Sequence, residues 1–208
     1  MKPRILTILA AAAVALSTPS LAAAAAATWD IDPSHTAAQF SVRHLMISNV
    51  RGEFGKVTGT VTYDEQEVSS IAVDVTIDAT SIDTREPKRD EHLRSPDFFD
   101  VAKYPTITFK SKRSEKAGTG KFKVVGDLTI HGVTKEVTLD VEGPTPAIKD
   151  PWGNVKVGAT ATTKVNRKEF GLNWNAALET GGVVVGDEVS ITLDVEIVKK
   201  KEEAPAAK

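Results

Sequence analysis

The sequence from Thr28 onward alternates apolar and polar residues with a period of two. Near the C-terminal end, Val189, Ile191, Leu193, Val195 and Ile197 alternate with Ser190, Thr192, Asp194 and Glu196. The same alternation recurs at 71–78, 122–130 and 137–141. Successive side chains of a β-strand point to opposite faces of the sheet, so this pattern predicts half-buried antiparallel strands.

The pattern predicts eight long strands, preceded by a short extended segment at 28–32. The strands cover residues 35–45, 50–63, 70–81, 104–113, 119–130, 133–142, 155–165 and 188–198. The linking turns are predicted at Ser48-Asn49, Lys116-Ala117-Gly118, His131-Gly132 and Gly181-Gly182. Eight antiparallel strands with one apolar face favour an all-β fold, either a closed barrel without exposed edges or a sandwich.

Two segments interrupt the alternation. Residues 84–94 are highly charged, and Thr84 as a cap with Pro87 in the first turn predicts a short helical insert. Residues 95–99 follow as a second capped turn that presents two adjacent aromatic rings. The other interruption, 168–178, is predicted to be a loop or short helix.

The two chain ends differ in composition from the strand region. Lys2 and Arg4 precede an apolar run at 5–16, and small residues at Ser20 and Ala22 follow. This pattern predicts a signal peptide over 1–22, with cleavage sites up to residue 27. Its removal leaves 24 basic and 28 acidic residues, a net charge of −4. We therefore expect a soluble periplasmic or secreted barrel domain at 28–198 and a disordered charged tail at 199–208.

Composition and motifs exclude several function classes. The chain has no cysteine, which excludes thiolate catalysis, Cys-ligated zinc, iron–sulfur clusters and disulfides. A net charge of −2 and a pI near 6.1 argue against a nucleic-acid partner. The nucleophile elbow, the His-Glu-x-x-His motif, the phosphate-binding glycine loop and the dinucleotide fingerprint are missing. We therefore predict no catalytic residue, no metal site and no cofactor.

Two histidines lie near the start of the strand region. His35 follows Asp32, and these residues either fix the turn around Pro33 or, together with His44, hold a metal ion. The spacing matches no known ligand motif, which favours the turn. His44 shares a face with Phe40, so its side chain is either a satisfied core histidine or a polar contact for a ligand head group.

The other two histidines have equally open roles. His92 stands with Arg89 and Asp90 in the charged insert, where the set is either an ion-paired clamp or an acid–base group. His131 falls in a predicted tight turn, for which a structural role is the default. No catalytic arrangement follows from these residues.

The apolar face combines large and small side chains. The large inward residues include Phe40, Phe54, Phe109 and Phe122, and the small ones Ala38, Gly59, Gly126, Ala159 and Ala161. An eight-stranded barrel is just wide enough to be filled by side chains or to hold one small ligand. The residues alone leave two interpretations open: a hollow interior for an apolar ligand, or an interdigitated sandwich core.

Five ordered sequence blocks between Trp29 and Val198 resemble one family. They are His35–Phe54 (HTAAQFSVRHLMISNVRGEF), Arg89–Asp100 (RDEHLRSPDFFD), Tyr104–Phe109 (YPTITF), Gly126–Lys135 (GDLTIHGVTK) and Asn166–Leu172 (NRKEFGL). The chain is similar in these blocks to the YceI-like family of polyisoprenoid-binding proteins. It departs from the pattern at Thr36, where serine is expected.

The resemblance implies an eight-stranded, lipocalin-like antiparallel barrel that is exported in bacteria. It also implies an apolar tunnel for isoprenoid chains, such as polyprenyl lipids or a quinone tail, or for fatty-acid amides. The family binds, stores or transfers such lipids, so the resemblance implies no catalysis. We expect an isoprenoid lipid or quinone as the ligand, with transient membrane contact; a homodimer is compatible with the family.

Strand parity selects the side chains that we expect to contact this lipid. They are Phe40, Val42, His44, Phe54, Val75, Ile77, Phe98, Phe99, Ile107, Phe109, Leu128, Ile130, Leu139 and Trp174. Two alternative functions remain: a β-sandwich module for protein interaction, and an enzyme that acts on an isoprenoid quinone through His44 or His92.

Overall fold

The alternating side chains build a single sheet whose ends meet. The structure is a computed structural model that describes residues 26–64, 70–179 and 181–201. Its strands are β1 (Ala27–Ile31), β2 (Ala37–His44), β3 (Ser48–Phe54), β4 (Val57–Tyr63), β5 (Ala72–Asp78), β6 (Ile82–Asp83), β7 (Thr106–Gly118), β8 (Lys121–Ile130), β9 (Val133–Glu142), β10 (Ile148–Lys149), β11 (Val155–Asn166) and β12 (Val185–Lys199). The α-helix α1 (Pro87–Arg94) and short 3-10 helices at Ala79–Ser81 and Arg167–Phe170 complete the described elements.

Antiparallel pairing closes the sheet into a barrel. Around the ring the order is β11-β9-β8-β7-β5-β4-β1-β12, and β12 pairs again with β11. Strand β2 continues the course of β1 along β12, and β3 pairs with β2. Counting β1 with β2 and β3 with β4 as continuous courses, this is the predicted eight-stranded antiparallel barrel with one short helix. The closed ring excludes the sandwich.

One predicted strand is two strands in the structure. Residues 50–63 are divided between β3 and β4, with Gly55 and Lys56 outside both. Phe54 and Val57 are both buried although they are three residues apart, which a continuous strand of period two does not allow. The set of inward-facing positions therefore shifts by one residue at this break. The alternation within each strand does not reveal this shift.

Two turns lie elsewhere than predicted. Ser48 and Asn49 belong to β3, and the turn before them is at 45–47. The predicted turn at 116–118 is the end of β7, and the chain reverses at Thr119 and Gly120 instead. The prediction from turn-forming residue types placed both turns wrongly, because strand pairing continues through the predicted turn residues. The His131-Gly132 turn is confirmed between β8 and β9.

The helical insert begins later than Thr84. The N-cap of α1 is Glu86, whose carboxylate accepts a hydrogen bond from the Lys88 N–H, and Pro87 is the first helical residue. Thr84 is buried and donates its N–H and hydroxyl to the Asp90 carboxylate at 2.9 and 2.5 Å. Thr84 therefore anchors the helix from the side rather than capping it.

Some of the small inward residues leave no space inside the barrel. A Cβ on Gly126 would lie 2.5 Å from the Lys110 carbonyl oxygen and 2.6 Å from the Phe109 ring. A Cβ on Gly59 would lie 2.2 Å from the Asp74 carbonyl oxygen. These two glycines admit neighbouring backbone and rings, so their lack of a side chain does not enlarge the cavity.

The predicted signal peptide and most of the predicted tail fall outside the described residues. Lys199 ends β12, and the Lys200 N–H donates to the Thr28 carbonyl at 2.9 Å. None of the helices in the described part of the chain has the length and apolar character of a membrane span.

We predict that Gly126→Ala destabilises the barrel, because the new methyl group must displace backbone or the Phe109 ring. Overpacking of this kind raises the free energy of the folded state by about 2 kcal/mol, which lowers the Tm by roughly 4–8 °C in a domain of this size. Thermal unfolding followed by circular dichroism measures the shift.

Gly55→Ala is the matched control, since a Cβ at Gly55 meets nothing within 4 Å. We expect its Tm to stay at or above that of the wild type. Equal Tm values for the two variants would show that Gly126 is not sterically required.

Candidate functional site

The barrel encloses an apolar cavity of about 410 Å³. Its walls are the inward side chains of the long strands, together with residues from α1 and from the segment after β11. Cavities that bind small ligands span roughly 300–1,000 Å³ and are mostly apolar. The cavity has the size and surface of a ligand site.

All fourteen side chains predicted from the sequence lie on the wall of this cavity. Parity explains the strand residues: Phe40, Val42 and His44 alternate along β2 and point inward together. Phe98 and Trp174, which lie outside the strands, also reach the wall. Their contact with a ligand stays a prediction.

The wall also contains residues that the prediction omitted. Those with inward parity include Ile31, Val61, Val73, Phe122, Val137, Val141, Ile191, Leu193 and Val195. The alternation already contained the signal for these residues. Arg43 and Arg167 line the cavity as well, and no periodicity pointed to them.

The insert and the segment after β11 bring aromatic rings together over one end of the cavity. The rings of His92, Phe98 and Trp174 contact one another, with centroids 5.0–5.2 Å apart. The Phe99 ring meets Phe54 edge-on at 5.5 Å. These contacts join α1 and its following turn to the barrel wall, so the insert forms part of the site.

The ionisable groups on the cavity wall are basic residues, with one tyrosine. Besides Tyr63 they are Arg43, His44, Arg89, His92 and Arg167, and no lining residue is Asp or Glu. Arg43 and His44 lie where β2 finishes and β12 begins. Arg167 reaches the same end through Gly186 and Trp174, and the His92 ring, on the helix that also carries Arg89, contacts Trp174. The cavity therefore has one end with nitrogen donors and an apolar remainder.

This end of the cavity has the one exposed residue among the described residues of the lining. Arg43 lines the cavity and is exposed to solvent, whereas every other lining residue is buried or half-buried. We call it the open end. The opposite end, where Ile31 pairs with Ile197, is lined without any exposed residue among those described.

Arg167 organises the open end through backbone carbonyls. Its Nε donates to Gly186 at 2.9 Å, and its Nη1 donates to Trp174 at 2.9 Å and to Leu172. Only 4% of this residue is exposed, and burial lowers the pKa of its guanidinium. Since its donors already have acceptors, Arg167 shapes the site rather than offering free donors to it.

His44 and Arg89 keep nitrogen donors that have no hydrogen-bond partner among the described residues. No hydrogen bond of the His44 ring occurs within the described residues, which favours a polar contact for a ligand head group over the satisfied core histidine. Arg89 donates Nε and Nη2 to Thr84 at 2.8 and 2.9 Å, which leaves Nη1 unpaired. These groups are placed to contact the polar part of a ligand.

The insert does not form the acid–base set considered from its sequence. The His92 Nε2 lies 2.9 Å from an Asp97 carboxylate oxygen, while Asp90 is occupied by Thr84. His131 has a φ of 51° in its turn, and its ring lies 4.6 Å from that of Tyr104. His131 is therefore a structural residue outside the cavity wall.

An ion-pair network lies at the opposite end. The Lys156 ammonium lies 2.9 Å from Asp32 and 2.6 Å from Glu196, and His35 Nδ1 lies 2.9 Å from Asp32. The nearby Thr36 hydroxyl accepts from the Glu196 N–H at 3.1 Å. The oxygens and nitrogen of Asp32, His35 and Glu196 lie within 4.8 Å of one another, but the Lys156 ammonium already contacts both carboxylates. His44 belongs to the open end, so the alternative of a metal set that combines it with His35 does not assemble in the structure.

Comparisons with known proteins agree with this architecture. The sequence profile of the YceI-like domain matches residues 29–197. A UPF0312 protein of Vibrio parahaemolyticus is 39% identical over 160 residues, which cover 77% of this chain and 84% of the relative. The crystal structure of a Campylobacter jejuni YCEI protein is 34% identical with a TM-score of 0.65, over 76% of this chain and 90% of that one.

A more distant structure has a similar fold. A polyisoprenoid-binding domain from Saccharophagus degradans matches with a TM-score of 0.60, over 83% of this chain and 98% of that domain. The two sequences are 14% identical, so this similarity shows the fold alone.

We predict that Asp32→Asn weakens the barrel at neutral pH and flattens its acid unfolding. Hydrogen bonds from Lys156 and His35 hold the pKa of the Asp32 carboxyl far below its usual value. The stabilisation is therefore complete above the unfolded pKa of about 3.9 and is lost as the pH falls through the folded pKa. Urea unfolding at a series of pH values measures it, and we expect a loss of about 1–3 kcal/mol at pH 7.

Asp30→Asn provides the control, because the Asp30–Lys200 ion pair is about half exposed on both sides. An exposed pair contributes little, so its unfolding free energy should change by less than about 1 kcal/mol at any pH. An Asp32→Asn variant with the wild-type pH profile would contradict the role of the network.

Proposed function

The chain belongs to the YceI-like domain family, and on this premise we propose that it binds a long-chain isoprenoid lipid of polyprenyl or quinone type. The lipid would occupy the barrel cavity, where it is sequestered or carried without chemical change. The alternative function is a β-sandwich module for protein interaction with a filled core. A closed barrel with an internal cavity does not support it.

The apolar cavity is the observation that carries this proposal. Each methylene transferred from water into an apolar site contributes about 0.8 kcal/mol, so a chain of ten contributes roughly 8 kcal/mol before the entropy of association is subtracted. Association removes a large part of this free energy, but a long tail still binds without any polar contact. The lining of Phe40, Ile77, Phe109 and their neighbours supplies such a surface.

The open end supports a polar head group on the lipid. His44 and the free Nη1 of Arg89 offer nitrogen donors there, and the lining contains no carboxylate that would repel an oxygen acceptor. Quinone carbonyls and phosphate oxygens both accept such bonds. These contacts favour one orientation of the lipid, with its tail in the barrel and its head group at His44.

The arrangement of side chains supports binding rather than catalysis. A histidine base is normally oriented by a carboxylate and placed beside a nucleophile. His44 has no carboxylate partner in the described part of the chain. His92 has one in Asp97 at 2.9 Å, but its ring packs against two aromatic rings and no hydrogen bond among the described residues joins it to a hydroxyl nucleophile. We therefore assign no catalytic role to either histidine.

The predicted signal peptide supports an exported carrier. An isoprenoid chain is insoluble in water, and the bacterial periplasm is aqueous. A protein with an enclosed apolar cavity can carry such a chain across it. The polyisoprenoid-binding relative from Saccharophagus degradans has the same fold and is consistent with this class of ligand.

We expect the protein, purified without detergent from its own compartment, to retain a bound lipid that native mass spectrometry detects and solvent extraction identifies. Added isoprenoid should raise the Tm of the emptied protein, because a ligand that binds only the folded state stabilises it by about 2.7 kcal/mol at a hundred times its Kd. Phe40→Asp should abolish both signals, since it places a carboxylate in the cavity.

Ser41→Asp is the matched control: it adds the same charge one residue later on β2, on the outer face opposite Arg51. We expect this variant to bind as the wild type does. A folded Phe40→Asp protein that still binds the lipid would place the ligand elsewhere. A wild-type protein that is empty and refuses isoprenoids would end the carrier proposal.

A further inference from the structure

The hairpin between β2 and β3 has an unusual turn at the open end. Leu45 and Met46 have φ values of 49° and 62°, and the Ile47 N–H donates to the His44 carbonyl at 3.1 Å. Positive φ at both central residues defines a type I′ turn, which favours Asn-Gly because other residues are strained there. This chain places a leucine and a methionine in those positions.

The same chain uses the expected residue types in a comparable turn. Between β8 and β9, His131 and Gly132 have φ values of 51° and 73°, with glycine in the second position. The β2–β3 turn therefore accepts backbone strain that a glycine at Met46 would relieve. Local folding alone gives no reason for a methionine at this position.

The side chains presented by this strained turn are apolar and face water. Met46 is 49% exposed and Ile47 is 76% exposed, both among the most exposed large apolar residues described. We call residues 45–47 the apolar tip. Strain and apolar exposure are both unfavourable for the isolated barrel, so the tip suits an environment other than water.

The apolar tip adjoins the opening of the cavity. His44 and Arg43, which precede it, line the cavity, and Val50 does so on the returning strand. The Leu45 N–H donates to the Val184 carbonyl at 2.8 Å, which ties the tip to the loop before β12. A lipid leaving past Arg43 would therefore emerge beside the tip.

The hairpin that carries the tip is positively charged. The hairpin from Ala37 to Gly52 contains Arg43 and Arg51 and no carboxylate. Arg51 lies on the outer face of the hairpin by register, opposite Ser41, and its side chain has no ion pair or hydrogen bond within the described residues. An apolar tip flanked by arginines fits a membrane interface with anionic head groups, where apolar side chains insert and basic groups meet phosphates.

We infer that the apolar tip inserts into the surface of a bilayer that contains anionic lipids. Docking in this position brings the open end of the cavity to the membrane, where lipid enters or leaves. The inference rests on the proposed function for its purpose, but vesicle binding and lipid loading are separate measurements. If the protein fails to bind vesicles, the lipid-loading result can still be interpreted, and the reverse also holds.

The test is binding of the signal-free protein to vesicles of phosphatidylethanolamine and phosphatidylglycerol, measured by co-sedimentation. We expect the variant Met46→Gly/Ile47→Thr to bind at least about tenfold more weakly, because two inserting side chains are lost. Its Tm should equal or exceed that of the wild type, since glycine relieves the positive φ at residue 46. A tip with a purely structural role would instead lose Tm and leave vesicle binding unchanged.

Two further variants separate the contributions of the apolar tip and of the neighbouring basic charge to vesicle binding. Ile148→Thr removes an apolar side chain that is 62% exposed at the opposite end of the barrel, and we expect it to bind vesicles as the wild type does. Arg51→Ala should weaken binding to the anionic vesicles about fivefold and leave binding to phosphatidylcholine vesicles unchanged, because a basic residue near an anionic surface contributes about that factor.

Several outcomes would overturn the inference. They are a wild-type protein that does not sediment with anionic vesicles, a tip variant that binds them as well as the wild type, and an Ile148→Thr variant that loses as much binding. A tip variant that changes from dimer to monomer in analytical ultracentrifugation, with vesicle binding unaltered, would assign the tip to contact with a second copy. Vesicle binding without lipid loading would reject the carrier function and keep the docking surface.

Discussion

The pairing of β11 with β12 is the interaction on which the rest of the structure depends. It runs through eleven residue pairs from Lys156–Val198 to Asn166–Glu188 and joins the two ends of the ring. A sheet of this length left open would expose one apolar face and two edges to water. Once the ring is closed, that face becomes an interior, and every inward side chain contributes to one cavity. The site is therefore a consequence of closure rather than an addition to the fold.

A hollow interior leaves some apolar side chains without full packing, so stability must come from elsewhere. At one end Trp29 is fully buried and its ring stacks on Tyr63 at 5.3 Å, close to the network around Lys156. At the other end the Arg167 guanidinium joins the carbonyls of two separate backbone stretches, one at Trp174 and one at 185–186. Both sets of contacts lie at the rims. The middle of the barrel can then stay open to a ligand without loss of the ring.

The two ends of the barrel differ in chemistry, and this asymmetry gives the cavity a direction. The end near Lys156 pairs its charges internally, so it offers nothing to a ligand. The open end combines unpaired nitrogen donors on the wall with aromatic rings above it and an apolar hairpin beside it. The protein carries a net negative charge overall, yet its cavity lining and this hairpin are positive. A molecule with an apolar tail and an oxygen-rich head matches that distribution.

The sequence by itself determined the strands and the inward residues, because side-chain direction in a strand follows from position alone. Phe40, Phe109 and Leu139 lie on the cavity wall where parity placed them. Parity failed at Gly55–Lys56, where the chain shifts register, and it did not reveal that the Phe109 ring packs against Gly126. Only the tertiary structure decided which polar groups meet. Lys156 reaches Asp32 across 124 residues of sequence, and Arg167 turns inward to distant carbonyls. Such contacts depend on how the ring closes in three dimensions, which no local pattern records.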